Sequence, residues 1–310
     1  MKERLGYACI NTELRAKGIY VNRGVRKATR FSSKGLDIIS DRALQNIKDL
    51  LEIVQWNHDN GISFYRMSSG MFPWWTTYEF QDLKDWPEIQ SLLLEIGEMA
   101  RTYIQRLTFH PSHFVVLGSL NSSTQEKSRI ELERHSQLLD EMGFQPSHWN
   151  KLNIHIGSAQ GGKDVMMERW VESFNLLSEN CRKRVVVEND DKGNMYSVAD
   201  LHEGIYSKVK VPITFDIHHH RVGNQGGLSE QAAAQLAEST WKPGEFVIHH
   251  SSMKKMFEDN SAKEVAHADY IYEEIQNFGT DAWIMCESKA KEKSILDYIT
   301  NGPRSKAILS

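Results

Sequence analysis

The chain is 310 residues long, 40% hydrophobic and 25% charged, with a formal net charge of −4. It holds no apolar stretch of the roughly 18 residues that a bilayer span requires, and MKERLGYACI lacks the charged-then-apolar pattern of a signal peptide. Scattered Cys9, Cys181 and Cys286 exclude a disulfide framework and a CxxC metal site, so a cytoplasmic monomer with no membrane partner is expected.

Short β-branched or aromatic runs alternate along the chain with longer stretches of helical spacing. The first run, Leu5–Ile10, leads into a basic stretch. Between Leu14 and Lys34 lie Arg15, Lys17, Arg23, Arg26, Lys27, Arg30 and Lys34 without a single Asp or Glu, a local positive field suited to phosphates. An amphipathic segment, Asp41–Asp59, follows, with Ser40 as its expected N-cap and Gly61 just past its end. After the second run, Ser63–Ser68, come Trp74 and Trp75, which read either as a stacking platform or as packing of a long loop. The pattern Pro87–Arg106 opens with a proline suited to a first helical turn. The third run is Arg106–Phe109, then helical spacing over Gln125–Met142. Runs four to eight are Leu152–Ile156, Arg184–Val187, Pro212–Phe215, Phe246–Ile248 and Ala282–Cys286. The helical patterns after them cover Asp164–Asn180, Val198–Tyr206, Ser229–Thr240, His267–Phe278 and Lys289–Thr300. Strand and helix alternating eight times predicts an α/β fold of the (β/α)8 TIM-barrel kind. A doubly wound nucleotide-binding sheet is disfavoured because no glycine-rich phosphate loop follows the first run. No linker interrupts the chain, so residues 1–310 are expected to form one domain.

The chemistry is written at the strand ends. The third run ends at His110, the fourth contains His155, and the fifth ends in Glu188. The sixth ends in Asp216 and runs on into His218, His219 and His220; the seventh ends in His249 and the eighth in Glu287. In a parallel barrel these ends converge on one face, where active sites are built. Carboxylates and imidazoles buried there are costly unless paired or bound to metal. A nitrogen and oxygen donor set without thiolate suits Mn2+, Zn2+ or Fe2+. His218 and His220 are each either ligands or supporting groups, and His267 would add a histidine from the loop after the seventh strand. The surplus of ligands predicts two or three divalent ions. Two ions about 4 Å apart can hold a scissile phosphate, generate hydroxide and stabilise the leaving oxygen. No serine or cysteine is placed for a triad.

Many short motifs then agree in order with one known family. Leu5-Gly6-Tyr7-Ala8-Cys9-Ile10-Asn11, Tyr65-Arg66-Met67-Ser68-Ser69, Phe109-His110-Pro111, Asn153-Ile154-His155-Ile156-Gly157-Ser158, Glu188-Asn189-Asp190, Asp216 with its histidines, Ile248-His249, His267-Ala268-Asp269-Tyr270-Ile271 and Glu287-Ser288-Lys289 span nearly the whole chain. On these residues the chain resembles the UV damage endonucleases, barrel relatives of endonuclease IV. The resemblance implies an enzyme that nicks double-stranded DNA on the 5′ side of cyclobutane dimers and 6-4 photoproducts. It implies a metal cluster, most often manganese, on His110, His155, Glu188, Asp216, His219, His249, His267 and Glu287, with Glu188 bridging. The catalytic group within that set is Glu188, His110, His155, Asp216, His249 and Glu287. It also implies that Tyr7 and Asn11 line the lesion pocket. His113 and Phe114 stand where the family usually has a Gln-Tyr pair that probes the duplex, and Phe114 retains an apolar wedge. Val247 stands where the family often has a lysine completing the metal site. Two competing readings are a metal-dependent sugar isomerase or epimerase on the same barrel, and a lesion-binding protein with weakened cleavage.

Overall fold

In the computed structural model, which describes residues 4–223 and 225–305, parallel strands close into a barrel in the order β1 to β8. The strands are β1 Leu5–Ala8, β2 Phe64–Met67, β3 Arg106–Phe109, β4 Leu152–Ile154, β5 Val185–Glu188, β6 Ile213–Asp216, β7 Val247–His250 and β8 Trp283–Cys286. Closure is made by β1 against β8, with Leu5 opposite Ile284 and Tyr7 opposite Cys286. Nearly every strand residue is buried, because one face fills the barrel and the other packs under helices. Gly6 is required on β1: a Cβ there would lie 2.3 Å from the Phe64 carbonyl oxygen.

The main outer helices are α1 Gly35–Asp59, α2 Trp86–Thr102, α3 Ser122–Glu141, α4 Lys163–Asn175, α5 Val198–Leu201, α6 Glu230–Glu238 and α7 Glu292–Asn301. They follow the expected order with two corrections. The first is the start of α1, one and a half turns earlier than Asp41. Gly35 lets the chain turn against the Arg30 carbonyl, where a Cβ would meet the oxygen at 2.0 Å. Ser40 is therefore interior to α1, and its hydroxyl donates to Asp85 at 2.8 Å instead of capping. Ser229 does cap α6, accepting from the Ala232 amide.

The second correction is larger. His267–Phe278 is not helical, although Ala268, Ile271 and Ile275 are buried at the spacing that suggested a helix. Its backbone groups are taken by neighbouring loops. Ala268 N donates to Ser252 O at 2.8 Å, and Ala268 O and Asp269 O accept from Lys289 N and Ala290 N. The Glu258 carboxylate accepts from Asp269 N at 2.7 Å. Tertiary partners outcompete local i→i−4 bonds here. The seventh unit keeps only a one-turn helix, Lys254–Phe257. No described helix is long and apolar enough to cross a membrane.

Candidate metal centre

Strand order places His110, His155, Glu188, Asp216, His249 and Glu287 at successive carboxyl ends of β3 to β8, and the barrel turns them toward one another. Glu188 is the hub. Its carboxylate lies 3.3 Å from His110 Nε2, 3.3 Å from His219 Nδ1 and 3.2 Å from His249 Nδ1. His110, His155 and Glu188 bring one ligand atom each within 4.8 Å of one another, and so do Glu188, Asp216 and His249. Glu188 thus belongs to two ligand triads at once. Glu287 joins the second, 3.6 Å from His249 Nδ1, while His267 Nε2 stands 4.0 Å from Glu287.

Depth divides the cluster. Glu188, Asp216 and His249 are sealed at its floor, with side chains 1% exposed, whereas His155 is 22% exposed at the rim. An open cleft of about 310 Å3 reaches this rim and is lined by His110, His113, His155, Asp190, Lys192 and His219.

Burial and close partners shift these groups in opposite directions. Burial raises Asp216 to about 7, with Glu188 and Glu287 adding to the rise and His219 opposing it. Burial would lower His155, yet facing Glu188 and Asp190 hold it up at about 9. Burial lowers both His249 and His267 to about 4. Asp216 Oδ2 and His249 Nδ1 are buried without a hydrogen-bond partner in the protein. A sealed carboxylate oxygen and an imidazole nitrogen left unpaired beside a shared Glu188 are the donor set a divalent cation satisfies. The residues fit such an ion.

Supporting groups fix the ligands. His110 Nδ1 meets the Pro111 carbonyl at 3.1 Å, turning Nε2 inward. Ser251 Oγ lies 2.7 Å from His267 Nδ1. Asp190 sits 3.3 Å from His155 Nδ1, the carboxylate–histidine pairing that orients metal ligands. Asn153 donates to Glu188 Oε2, the oxygen that faces His110, and Arg66 on β2 pairs with Glu287.

Val247 lies in the barrel two residues before His249, and an amine reaches His249 by another route. Lys151, just before β4, is 2% exposed. Its Nζ lies 2.6 Å from Asn153 Oδ1, 2.9 Å from Thr214 Oγ1 and 3.4 Å from His249 Nε2. Burial holds this amine well below its ordinary pKa. Lys151 and Asp190 were missed as site residues in the sequence. Asp190 at least stood inside a quoted motif next to Glu188.

Tyr7 does not line a pocket. It is fully buried, and its hydroxyl donates to Asn57 on α1 at 2.7 Å, so the side chain points into the layer between barrel and helices. Asn11 donates to that hydroxyl and caps the short helix Thr12–Ala16 through Leu14 N. His113 lines the cleft, and Phe114 is 74% exposed beside it, ring centroids 4.1 Å apart. Of His218 and His220, both buried, His218 packs against His267 and His220 meets the Leu228 carbonyl.

A family model described as UV-endonuclease UvdE matches residues 3–308. The chain belongs to the UV-endonuclease UvdE family. A putative UV-damage endonuclease of Acanthamoeba polyphaga mimivirus is 33% identical over 94% of this chain and 89% of its own length. The crystal structure of SacUVDE superposes with a TM-score of 0.81 at 29% identity, covering 96% of each chain. Endonuclease IV from Thermus thermophilus shares the fold, with a TM-score of 0.55 at 13% identity over 96% of this chain and 97% of its own. The UvdE match covers every strand and so every residue of the centre described above.

Proposed function

We propose that this UvdE-family chain is a metal-dependent DNA repair endonuclease that hydrolyses the phosphodiester 5′ to UV photoproducts, cyclobutane pyrimidine dimers and 6-4 products. The observation that carries this reading is one carboxylate, Glu188, shared by two ligand triads and sealed beneath His110, His155 and His219, which line an open cleft. His110, His155 and Glu188 would hold one divalent ion, and Glu188, Asp216, His249 and Glu287 a second. His219 and His267 would serve a third at the rim. Donors of nitrogen and oxygen without sulfur suit Mn2+, Zn2+ or Fe2+, and the resemblance to the UV damage endonucleases makes Mn2+ the first choice. When bound, such ions supply Lewis acidity, easing loss of a proton from water and offsetting charge on phosphate oxygens.

The protein's own part is positioning. Asn153 fixes the Glu188 carboxylate and Asp190 fixes His155, so the ligands need not reorganise as charge develops on the phosphate. Phe114, exposed next to the cleft, supplies an apolar wedge where a weakened lesion step would be opened. Neither step needs a protein nucleophile.

The test is nicking of a defined dimer-containing duplex against its undamaged twin, with Mn2+ and with chelator. Glu188→Gln is expected to lose nicking almost completely while keeping some DNA affinity. Full activity of that variant at saturating Mn2+ would remove the mechanism. Aldose–ketose turnover without nicking would favour the isomerase reading, and lesion binding without scission a binding protein.

A further inference from the structure

Trp74 and Trp75, which sequence alone left undecided, part ways in the fold. Trp75 is buried and donates to Glu131 at 3.0 Å, so it packs. Trp74 is 37% exposed with φ of +60°, a left-handed conformation uncommon for a bulky residue. Its indole Nε1 donates to the Val25 carbonyl at 2.8 Å, which holds the ring against the connection after β1. On that connection Phe31, 64% exposed, meets the indole edge-on with centroids 6.2 Å apart. Arg30 ties the two connections together. Its guanidinium donates to Thr77 Oγ1 and to the Thr77 carbonyl and lies over the Phe31 ring.

Both connections follow strand carboxyl ends, so this aromatic pair stands on the same face of the barrel as the metal centre. Its surroundings are cationic. Arg26, Lys27 and Lys34 are exposed, and no acidic residue lies between Leu14 and Lys34. Arg23 is not part of that surface, since it turns inward to Asp49 at 2.6 Å. Two aromatic faces held in fixed positions amid exposed cations match the chemistry of single-strand stacking sites, where bases stack on rings and phosphates meet Lys and Arg.

We propose that Phe31 and Trp74 form a stacking platform for a nucleobase unstacked from bound DNA, with Arg26 and Lys27 contacting the phosphates beside it. The assignment rests on the DNA-cleaving reading above and extends it to residues outside the metal cluster. Apolar packing of a protein partner is the competing occupant, but the unbroken run of positive charge selects a polyanion.

The test measures binding of a dimer-containing duplex, its undamaged twin and a short oligothymidylate in chelator, over a range of salt. The proteins are wild type, Phe31→Ala/Trp74→Ala, Phe31→Tyr/Trp74→Phe and Arg26→Ala/Lys27→Ala. Stacking contributions of the usual size give roughly 5- to 100-fold weaker binding of dimer duplex and oligothymidylate by the double alanine variant. The undamaged duplex should lose little and the salt dependence should hold. The aromatic-for-aromatic variant should bind as wild type, and the Arg26/Lys27 variant should flatten the salt slope by about one to two. Wild-type affinity in the double alanine variant, or an equal loss on all three DNAs, overturns the platform while nicking by wild type leaves the enzyme reading standing. Failure of wild type to bind or nick any DNA overturns both.

Discussion

Lys151→Met is expected to separate folding from metal binding in this barrel. His249 turns Nδ1 toward Glu188 at 3.2 Å and Nε2 toward Lys151 at 3.4 Å. For Nδ1 to offer a lone pair to a cation, the imidazole proton must sit on Nε2. Lys151 must then accept that proton's hydrogen bond as a neutral amine, leaving two N–H groups for Asn153 Oδ1 and Thr214 Oγ1, the two other acceptors it meets. The count closes with no atom left over. It agrees with burial holding the amine well below its ordinary pKa. Methionine fills nearly the same volume and can make none of these bonds. Each buried polar atom left unpaired costs about 1–3 kcal/mol, but removal of a desolvated amine offsets much of that. The metal-free fold should therefore change by no more than about 2 kcal/mol in either direction. Metal affinity should fall about 10- to 100-fold, the usual cost of deleting a group that orients ligands. Denaturant unfolding in chelator reads the first quantity, and Mn2+ titration against a competing chelator reads the second. Wild-type Mn2+ affinity in Lys151→Met would refute the reasoning.

Other outcomes follow from the same geometry. Asp190→Asn deprives His155 of its carboxylate partner, and Mn2+ affinity is expected to drop about 10- to 100-fold, measured by the same competition. In the metal-free protein His155 holds its proton up to about pH 9 and Asp216 up to about pH 7. Each proton must leave for its residue to ligate, so apparent affinity should rise with pH through this range, up to roughly tenfold per unit per proton. A flat pH profile in calorimetric titration would contradict this. Stability without metal should also respond to acid. Burial depresses His135 and His250 to about 3 and His148 to about 4. Below the unfolded histidine value of about 6.5 the unfolded chain binds more protons. Their contribution is full above that pH and is lost as pH falls toward 3 and 4. Urea midpoints that hold constant from about pH 7 to pH 4 would count against it.

The strands were legible because each is buried on both faces, which forces short continuous apolar runs between turn signals. The meeting of these His, Asp and Glu side chains was legible because they stand at strand ends, where chain order alone brings them together. Where reading failed, the deciding partner lay far along the chain. His267–Phe278 carries a helical spacing of apolar residues, and its bonding was set by Ser252, Glu258 and Lys289, invisible in a local window. Tyr7 follows the glycine that brings β1 onto β2, yet whether its phenol faces the mouth or the helices depends on Asn57, fifty residues on. The Val247 position suggested a metal site lacking an amine. Nothing local to Lys151 says that its side chain crosses the barrel interior to His249.

The barrel thus divides its labour around the ring. Strands β5 to β8 position the carboxylates of the candidate metal centre, where burial raises the Asp216 pKa and leaves its Oδ2 without a hydrogen-bond partner. The connection after β1 carries exposed Arg26, Lys27 and Lys34, and the connections after β1 to β3 carry the exposed rings of Phe31, Trp74 and Phe114. A polyanion laid across one end of the barrel meets attraction on the first half and bare carboxylate repulsion on the second. Divalent cations held by the Glu188 triads would lower that repulsion. Metal loading would therefore strengthen DNA binding by charge, on a surface whose basic half already attracts a duplex in chelator.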